Sequence, residues 1–287
     1  MATPLVVIPV FNARTHVQAC LASVAEHSPD ERILVIDDAS TDAEVRPMLE
    51  AWVAEGRHRQ LIVHETNKGF VSTANEGMRQ ADGHVVLLNS DTQVTPGWLE
   101  RMARCLDSDP GIATATPWTN NGEIASFPRF CVANDMPDDP ARLAELIGAG
   151  GQPEYPDIPT AVGFCMAISN AAIKRIGYFD EDAFGKGYGE ENDFCLRAAA
   201  AGMRNVLCDD AFVAHHGGAS FSPLGLRPDA NTMRRLLDKH PGYQEVIEAF
   251  IRLDPLAPRR EFLVAQVQAH GGATLESAER TKSGALP

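Results

Sequence analysis

The chain has 287 residues, 44% of them hydrophobic, which is enough for one large α/β domain or two small ones with a packed core. With 39 acidic residues against 25 basic ones, the formal net charge is −14. That balance argues against a nucleic-acid partner, which needs a basic surface, and any anionic ligand needs a metal or local Lys/Arg to offset the field. No segment is long and apolar enough to cross a bilayer, and the chain runs straight into Leu5-Val6-Val7-Ile8 without the charged start of a secretion signal. The expectation is a cytoplasmic protein, with peripheral contact at the inner face of a membrane left open. Cys20, Cys105, Cys131, Cys165, Cys195 and Cys208 form no C-x-x-C pair and read as buried free thiols, not disulfides or zinc ligands.

Leu5 to Ile8 reads as a first buried strand, stopped by Pro9 and followed by a loop at Val10-Phe11-Asn12. A helix is expected from about Thr15 to His27, with Val17, Cys20, Leu21 and Val24 on one face. Ile33-Leu34-Val35-Ile36 is a second apolar strand ending in Asp37-Asp38, and Thr41 to Glu44 fits a capping box for the next helix. Gln60 to His64 is a third strand. Asn67-Lys68-Gly69-Phe70 leads into a helix from about Val71 to Gln80.

Val85 to Leu88 is a fourth strand, ending abruptly at Asn89-Ser90-Asp91. Repeated strand–helix alternation is the pattern of a parallel sheet with helices on both faces. Asn12, Asp37-Asp38, His64-Glu65 and Asn89-Ser90-Asp91 then fall along one rim, where open α/β sheets bind ligands. A turn or helix cap accounts for any one of them, Glu65 above all, but a ligand crevice accounts for the four together. In such a crevice Asp91 is placed to hold a divalent cation against phosphate oxygens.

Beyond Asp91 the pattern loosens. Trp98 to Leu106 reads as a helix and Ile112 to Thr116 as a strand; residues 117–160 form a long excursion with a helix near Ala141 to Ile147. Gly163 to Ser169 is a strand and Asn170 to Ile176 a short helix. Phe179 to Asp193 holds six carboxylates and three glycines in 15 residues, ahead of a helix ending near Gly202. Glu190, Glu191 and Asp193 fall in that helix's first turn, where the dipole favours anions; a carboxylate after a glycine-rich loop is also how a general base is held at a cleft wall. Val206-Leu207 and Ala211 to Ala214 read as strands. His215, at a strand end before a glycine pair, is a candidate metal ligand. Pro228 to Asp238 and Tyr243 to Leu253 read as helices, and the tail from about Gly271 as a fraying end.

Taken together, these stretches resemble the family 2 glycosyltransferases with the GT-A fold, from Leu5 to about Ser220. The carrying pieces are Val7 to Asn12, Val35 to Asp42, Asn67 to Phe70, Leu87 to Asp91, Gly187 to Asp193 with Arg197, and His215 to Ser220. The resemblance implies an α/β GT-A fold, Rossmann-like with a mostly parallel central sheet, helices on both faces and C-terminal helices. It implies a glycosyltransferase domain over 1–225, with a nucleotide-sugar half (1–116) and an acceptor and catalytic half (117–225), and a helical extension over 226–287. It implies inverting transfer from a nucleotide-sugar donor, UDP-hexose or dTDP-rhamnose, to a hydroxyl of a glycan or lipid-linked acceptor in bacterial surface polysaccharide synthesis.

The resemblance also assigns roles. Pro9, Val10, Asn12 and Asp38 would hold the nucleoside, with Asp38 reading the base. Asn67, Lys68, Gly69, Asn89 and Ser90 would line the nucleotide and diphosphate. Asp91 matches the last acid of the D-x-D motif, with Asn89 in place of the first; with His215, or its neighbour His216, it would hold Mn2+ or Mg2+. Glu191 matches the catalytic base, usually Asp, with Glu190, Asp193 and Arg197 beside it. Trp118 and the 117–160 excursion would shape the acceptor side. The rival readings are a catalytically silent nucleotide-sugar binder, a sugar nucleotidyltransferase and a retaining transferase. The second usually follows its first strand with a glycine-rich, arginine-containing loop, where this chain has Pro9 to Asn12.

Overall fold

The computed structural model describes residues 3–185, 187–217 and 230–270. In chain order these form β1 (Leu5–Val10), α1 (Arg14–His27), β2 (Ile33–Asp37), α2 (Val45–Ala54), β3 (Arg59–Val63), α3 (Phe70–Arg79), β4 (Val85–Leu88), β5 (Thr92–Gln93), α4 (Trp98–Ser108) and β6 (Ile112–Trp118). Then follow α5 (Pro140–Gly148), β7 (Cys165–Ile168), α6 (Asn170–Ile176), α7 (Glu181–Phe184), α8 (Glu190–Ala200), β8 (Arg204–Phe212), β9 (Ala214–His215), α9 (Ala230–Lys239), α10 (Tyr243–Leu253) and α11 (Ala257–Ala269). No helix among the described residues is long and apolar enough to cross a membrane.

The main sheet has the order β3-β2-β1-β4-β7-β6-β8. The first four strands are parallel, and β7 runs antiparallel between β4 and β6. Side chains alternate across the pleat and so sort into two cores. Val6, Ile8, Val10, Val35, Val86 and Leu88 pack with α1, α2 and α4, whereas Val7, Leu34, Ile36, Val85 and Leu87 pack with α3, α6, α8 and Leu236 of α9. A third core joins α5 to Leu256, Leu263 and Val267 around α11. The four-residue strands read from Val/Ile/Leu runs are therefore buried on both faces, as a parallel sheet under two helix layers requires.

Some expectations are corrected. β1 does not stop at Pro9. Its pairing with β4 ends at Val7↔Leu87, so the missing Pro9 N–H faces no partner, while pairing with β2 continues to Val10↔Asp37. The Thr41–Glu44 capping box does not form: the Thr41 and Asp42 amides donate instead to Asn12 Oδ1, at 2.8 and 3.0 Å. The two strands expected around Val206 and Ala211 are one, β8, bulged at Asp209-Asp210. Those aspartates look like a turn in the sequence, but Asp209 accepts from the Glu154 and Tyr155 amides and from Arg259, and Asp210 pairs with Arg104. Trp118, expected at the acceptor surface, is wholly buried and donates to the Asp209 carbonyl. Five cysteines are buried, with Cys20 and Cys195 pushed up to about 12 by burial, but Cys131 is exposed. Residues 218–220 of the His215–Ser220 motif and the tail from Gly271 lie outside the described residues.

Candidate active site

In the order β3-β2-β1-β4 the chain works outward from β1 to β3, then returns to the other side of β1 as β4. The carboxyl ends of β1 and β4 therefore flank a topological switch point, where crevices open in sheets of this kind. The loops after β1, β2 and β3 are tied to one another there. Asn12, in a left-handed conformation (φ 56°), takes Ser40 Oγ through its amide and braces the loop after β2 through its side-chain carbonyl.

Asp38 is buried, and its carboxylate accepts from His64 Nδ1 (2.7 Å), Lys68 N (2.8 Å) and Gly69 N (2.9 Å). Asn67 Nδ2 reaches the Asp38 carbonyl at 3.0 Å. Gly69 precedes α3 at φ 86°, a conformation that favours glycine, and this turns its amide onto Asp38. A carboxylate has about four acceptor sites, so three donors leave Asp38 room for one more. The Lys68 ammonium pairs with Glu76 at 2.9 Å, and that hydrogen bond, outweighing burial, holds the Glu76 carboxyl below the usual range.

Asp91 and His215 meet through a second, two-stranded sheet. β5 pairs antiparallel with β9, Thr92 opposite His215, and His216 N donates to the Asp91 carbonyl at 3.0 Å. Asp91 is buried, and its Oδ1 lies 3.4 Å from His215 Nε2. Asn120 clasps the His215 backbone from both sides, accepting from its N–H at 2.8 Å and donating to its carbonyl at 3.0 Å. His215 Nδ1 lies 2.6 Å from the Asn121 carbonyl, which can only accept, so Nδ1 carries the proton. In the neutral ring Nε2 then presents a lone pair toward a carboxylate oxygen. Two acceptors converging in this way, with the far ring nitrogen held by a carbonyl, suit a shared cation. Among the described residues no group of three or more His, Cys, Asp and Glu could hold a metal. A two-residue set leaves further positions to phosphate oxygens and water, the usual arrangement for Mg2+ on a substrate phosphate. His216 instead faces Gln93, at 3.0 Å.

The acidic loop delivers the other wall. α7 is capped by Asp180, and Gly185, Gly187, Tyr188 and Gly189 all have positive φ before α8 begins. Glu190 is buried with one carboxyl oxygen lacking a hydrogen-bond partner; burial, reinforced by Glu191, pushes it well above the usual carboxylate range. Glu191 is partly exposed. Its carboxylate accepts from Gly189 N (3.2 Å) and Asn192 Nδ2 (3.1 Å), and burial, with Glu123 adding to it, raises it too. A proton kept on Glu190 can be shared with Glu191, which favours the ionised form of Glu191. Asp193, expected among the catalytic carboxylates to orient the acceptor or support the base, is wholly buried and ringed by donors from Arg197, Lys239 and His240.

Gly163 and Phe164 join the two walls. A Cβ built on Gly163 would lie 3.8 Å from Glu191 Cγ, and the next residue, Phe164, stacks on His215 with ring centroids 5.2 Å apart. The Phe164 carbonyl also accepts from Asn89 N at 2.8 Å, next to Ser90 and Asp91. Glu191 and His215 are thus linked through two consecutive residues, Gly163 and Phe164. Sequence reasoning missed Asn120, Asn121, Gly163 and Phe164. The Asn120-Asn121-Gly122 turn after a buried strand was a usable signal; Gly163-Phe164 carried none.

Residues 5–177 match the model of the family described as glycosyl transferase family 2. The polyprenol monophosphomannose synthase of Mycolicibacterium smegmatis is 26% identical over 222 residues, 75% of this chain and 79% of that protein. The undecaprenyl-phosphate 4-deoxy-4-formamido-L-arabinose transferase of Klebsiella pneumoniae is 32% identical over 107 residues, 36% of this chain and 33% of that one. Several curated relatives are matched along only about a third of their length. Among solved structures, a mannosyltransferase from Pyrobaculum calidifontis in complex with GDP-Man and Mn2+ shares the fold at TM-score 0.56 and 16% identity, over 96% of this chain and 76% of that one. GalNAc-T7 with UDP, GalNAc and Mn2+ shares it at TM-score 0.60 and 14% identity, over 93% of this chain and 54% of that one. The chain belongs to glycosyl transferase family 2, with the mixed α/β sheet of the GT-A fold.

Proposed function

We propose that this family 2 member is an inverting, metal-dependent glycosyltransferase that moves a sugar from a nucleotide-diphosphate donor to an acceptor hydroxyl. The observation that supports the reading is the chain of contacts from Glu191 through Gly163 and Phe164 to His215 and Asp91, which fits a base on one wall of a crevice and a cation site on the other. The nucleoside end of the donor lies over Pro9, Val10 and Asn12, with Asp38 accepting from the base through its remaining site. Asn67, Lys68, Gly69, Asn89 and Ser90 border the ribose and diphosphate.

Asp91 and His215 hold a divalent cation, Mn2+ or Mg2+, which when bound offsets charge on the departing nucleotide diphosphate. That also answers the problem set by a net charge of −14. Glu191 takes the proton of the acceptor hydroxyl as the oxygen attacks the anomeric carbon from the face opposite the diphosphate. Glu190 stays protonated beside it. A base raised above the ordinary Glu range is better matched to an operating pH near neutrality.

The solved likenesses with GDP-Man or UDP and Mn2+, and relatives named for polyprenol-linked sugar transfer, support a nucleotide-sugar donor and a glycan or lipid-linked acceptor. The test is a screen of UDP-hexoses, GDP-mannose and dTDP-rhamnose by thermal shift with Mn2+, since a ligand of the folded state raises Tm by mass action. The anomeric configuration of the product made from the best donor follows. An inverted anomeric centre supports single displacement, and a retained one refutes it.

A further inference from the structure

Resting on the assignment of Glu191 as base, we infer that Lys239 and His240, where α9 ends, are positioning residues that hold Glu191 in place through Asp193. Asp193 lies two residues beyond Glu191 in the first turn of α8, and its side chain is wholly buried. Burial alone would raise its carboxyl, but hydrogen bonds from Lys239, His240 and Arg197 outweigh that and hold it below the usual range. The contacts are Arg197 Nε at 2.8 Å, Lys239 Nζ at 2.8 Å and His240 Nε2 at 2.9 Å. A buried carboxylate is tolerated only with such a ring of donors. Two of the three come from the last residue of α9 and the residue after it, 47 positions along the chain for His240.

The same helix grips the other end of the acidic loop. Lys239 Nζ also reaches Asp180 Oδ2 at 2.6 Å, at the cap of α7, and Arg235 donates to the Ala183 carbonyl at 3.0 Å. Arg197 ties α8 to the Ile176 and Tyr178 carbonyls, at 2.6 and 2.8 Å. Between these anchors Gly185, Gly187 and Gly189 adopt positive φ, a conformation that costs glycine nothing sterically. The direction of Glu191 is thus set by where α9 pins Asp193. Tyr243, three residues after His240, packs on the core beneath α8, and burial together with the Glu191 and Glu123 charges raises its hydroxyl. Displacing a reacting group by about 1 Å costs on the order of a hundredfold in rate, so loosening this anchor is expected to act on turnover before donor binding.

The test uses the full chain with Lys239→Met, His240→Ala, His240→Gln (which keeps an N–H donor of similar reach) and Glu191→Gln. Turnover of UDP-GlcNAc, GDP-mannose and dTDP-rhamnose with Mn2+ is measured together with hydrogen exchange of amides 190–195. Lys239→Met and His240→Ala are expected to lower kcat about tenfold or more, with donor KM within about threefold of wild type. Exchange at the start of α8 should speed up in both, and His240→Gln should restore both readouts. Unchanged kcat in these two variants while Glu191→Gln is impaired overturns the inference and leaves the base assignment standing. Unchanged kcat in Glu191→Gln removes that assignment itself. Unchanged exchange in both variants overturns the inference whether or not any donor is turned over, and if Lys239→Met fails to fold, the His240 pair decides.

Discussion

Asp91 and His215 face each other across 3.4 Å because of a strand register: Thr92, which follows Asp91, pairs with His215 in the β5–β9 ribbon. His215 Nε2 and the Asp91 carboxylate are thereby brought together by backbone hydrogen bonds rather than by side-chain chance. Asn120 and Asn121 hold the histidine from behind.

The first prediction concerns that pair. UDP is expected to bind more tightly with Mn2+ than with a chelator, and His215→Ala and Asp91→Asn should each reduce the difference by about tenfold or more, since losing a ligand costs at least as much as losing the partner that orients it. Isothermal titration with UDP, with and without Mn2+, reads this out. Equal UDP affinity with Mn2+ and with chelator in the unmodified chain would remove the metal from the account.

Gly163 tests the closeness of the two walls. A Cβ there meets Glu191 Cγ at 3.8 Å, an ordinary contact, so Gly163→Ala should keep near-normal turnover. The longer side chain of Gly163→Leu reaches beyond that contact against Glu191 and should lower kcat by about tenfold or more. Wild-type kcat in Gly163→Leu would show that Glu191 is not confined at this point.

Glu190 makes stability depend on pH. Its folded-state carboxyl is raised by burial, so between the unfolded and folded pKa values the folded chain binds more protons and stability falls as pH rises. Glu190→Gln removes that slope. The variant should match wild type near pH 4 and melt several degrees higher near pH 8, as read by thermal melts across pH. A variant that melts lower at pH 8 would mean that Glu190 is ionised and paired.

Gly77 tests the fit of α3 on the sheet. A Cβ at Gly77 would come within 2.3 Å of Val7 Cγ1, inside contact distance. Alanine favours a helix by about 1 kcal/mol over glycine, yet overpacking typically costs about 1–3 kcal/mol. Gly77→Ala is expected to lower Tm, and adding Val7→Ala to recover part of the loss; a raised Tm in the single variant would contradict this packing.

The sequence made the parallel half of the fold legible because its strands are unbroken Val/Ile/Leu runs that end in polar residues, and two helix layers are the one environment that suits them. Val85–Leu88, Asn170–Ile176 and Tyr243–Leu253 are found where the residue pattern places them. Asp209-Asp210 defeated the same reasoning, since a bulge whose carboxylates are satisfied by distant Arg259 and Arg104 looks locally like a turn. α11 was expected only as part of the helical extension over 226–287 and not placed, because its buried face is held partly by Arg259 and Arg260, residues that signal solvent. At the proposed site, Asp91, His215 and Glu191 stand out by residue type and order, whereas the contacts of Lys239 and His240 with Asp193 are tertiary ones that no local pattern announces.

The account depends most on Glu191 removing a proton from the acceptor, so Glu191→Gln is the direct measurement. General-base action contributes about 10²–10⁴ in rate, and the variant should lose at least the lower figure in kcat while donor Kd stays within about threefold. Because burial raises Glu191, the acid limb of wild-type kcat should fall at a pH above the ordinary glutamate value and disappear in the variant. A variant with near-normal turnover and an unchanged acid limb would contradict the account.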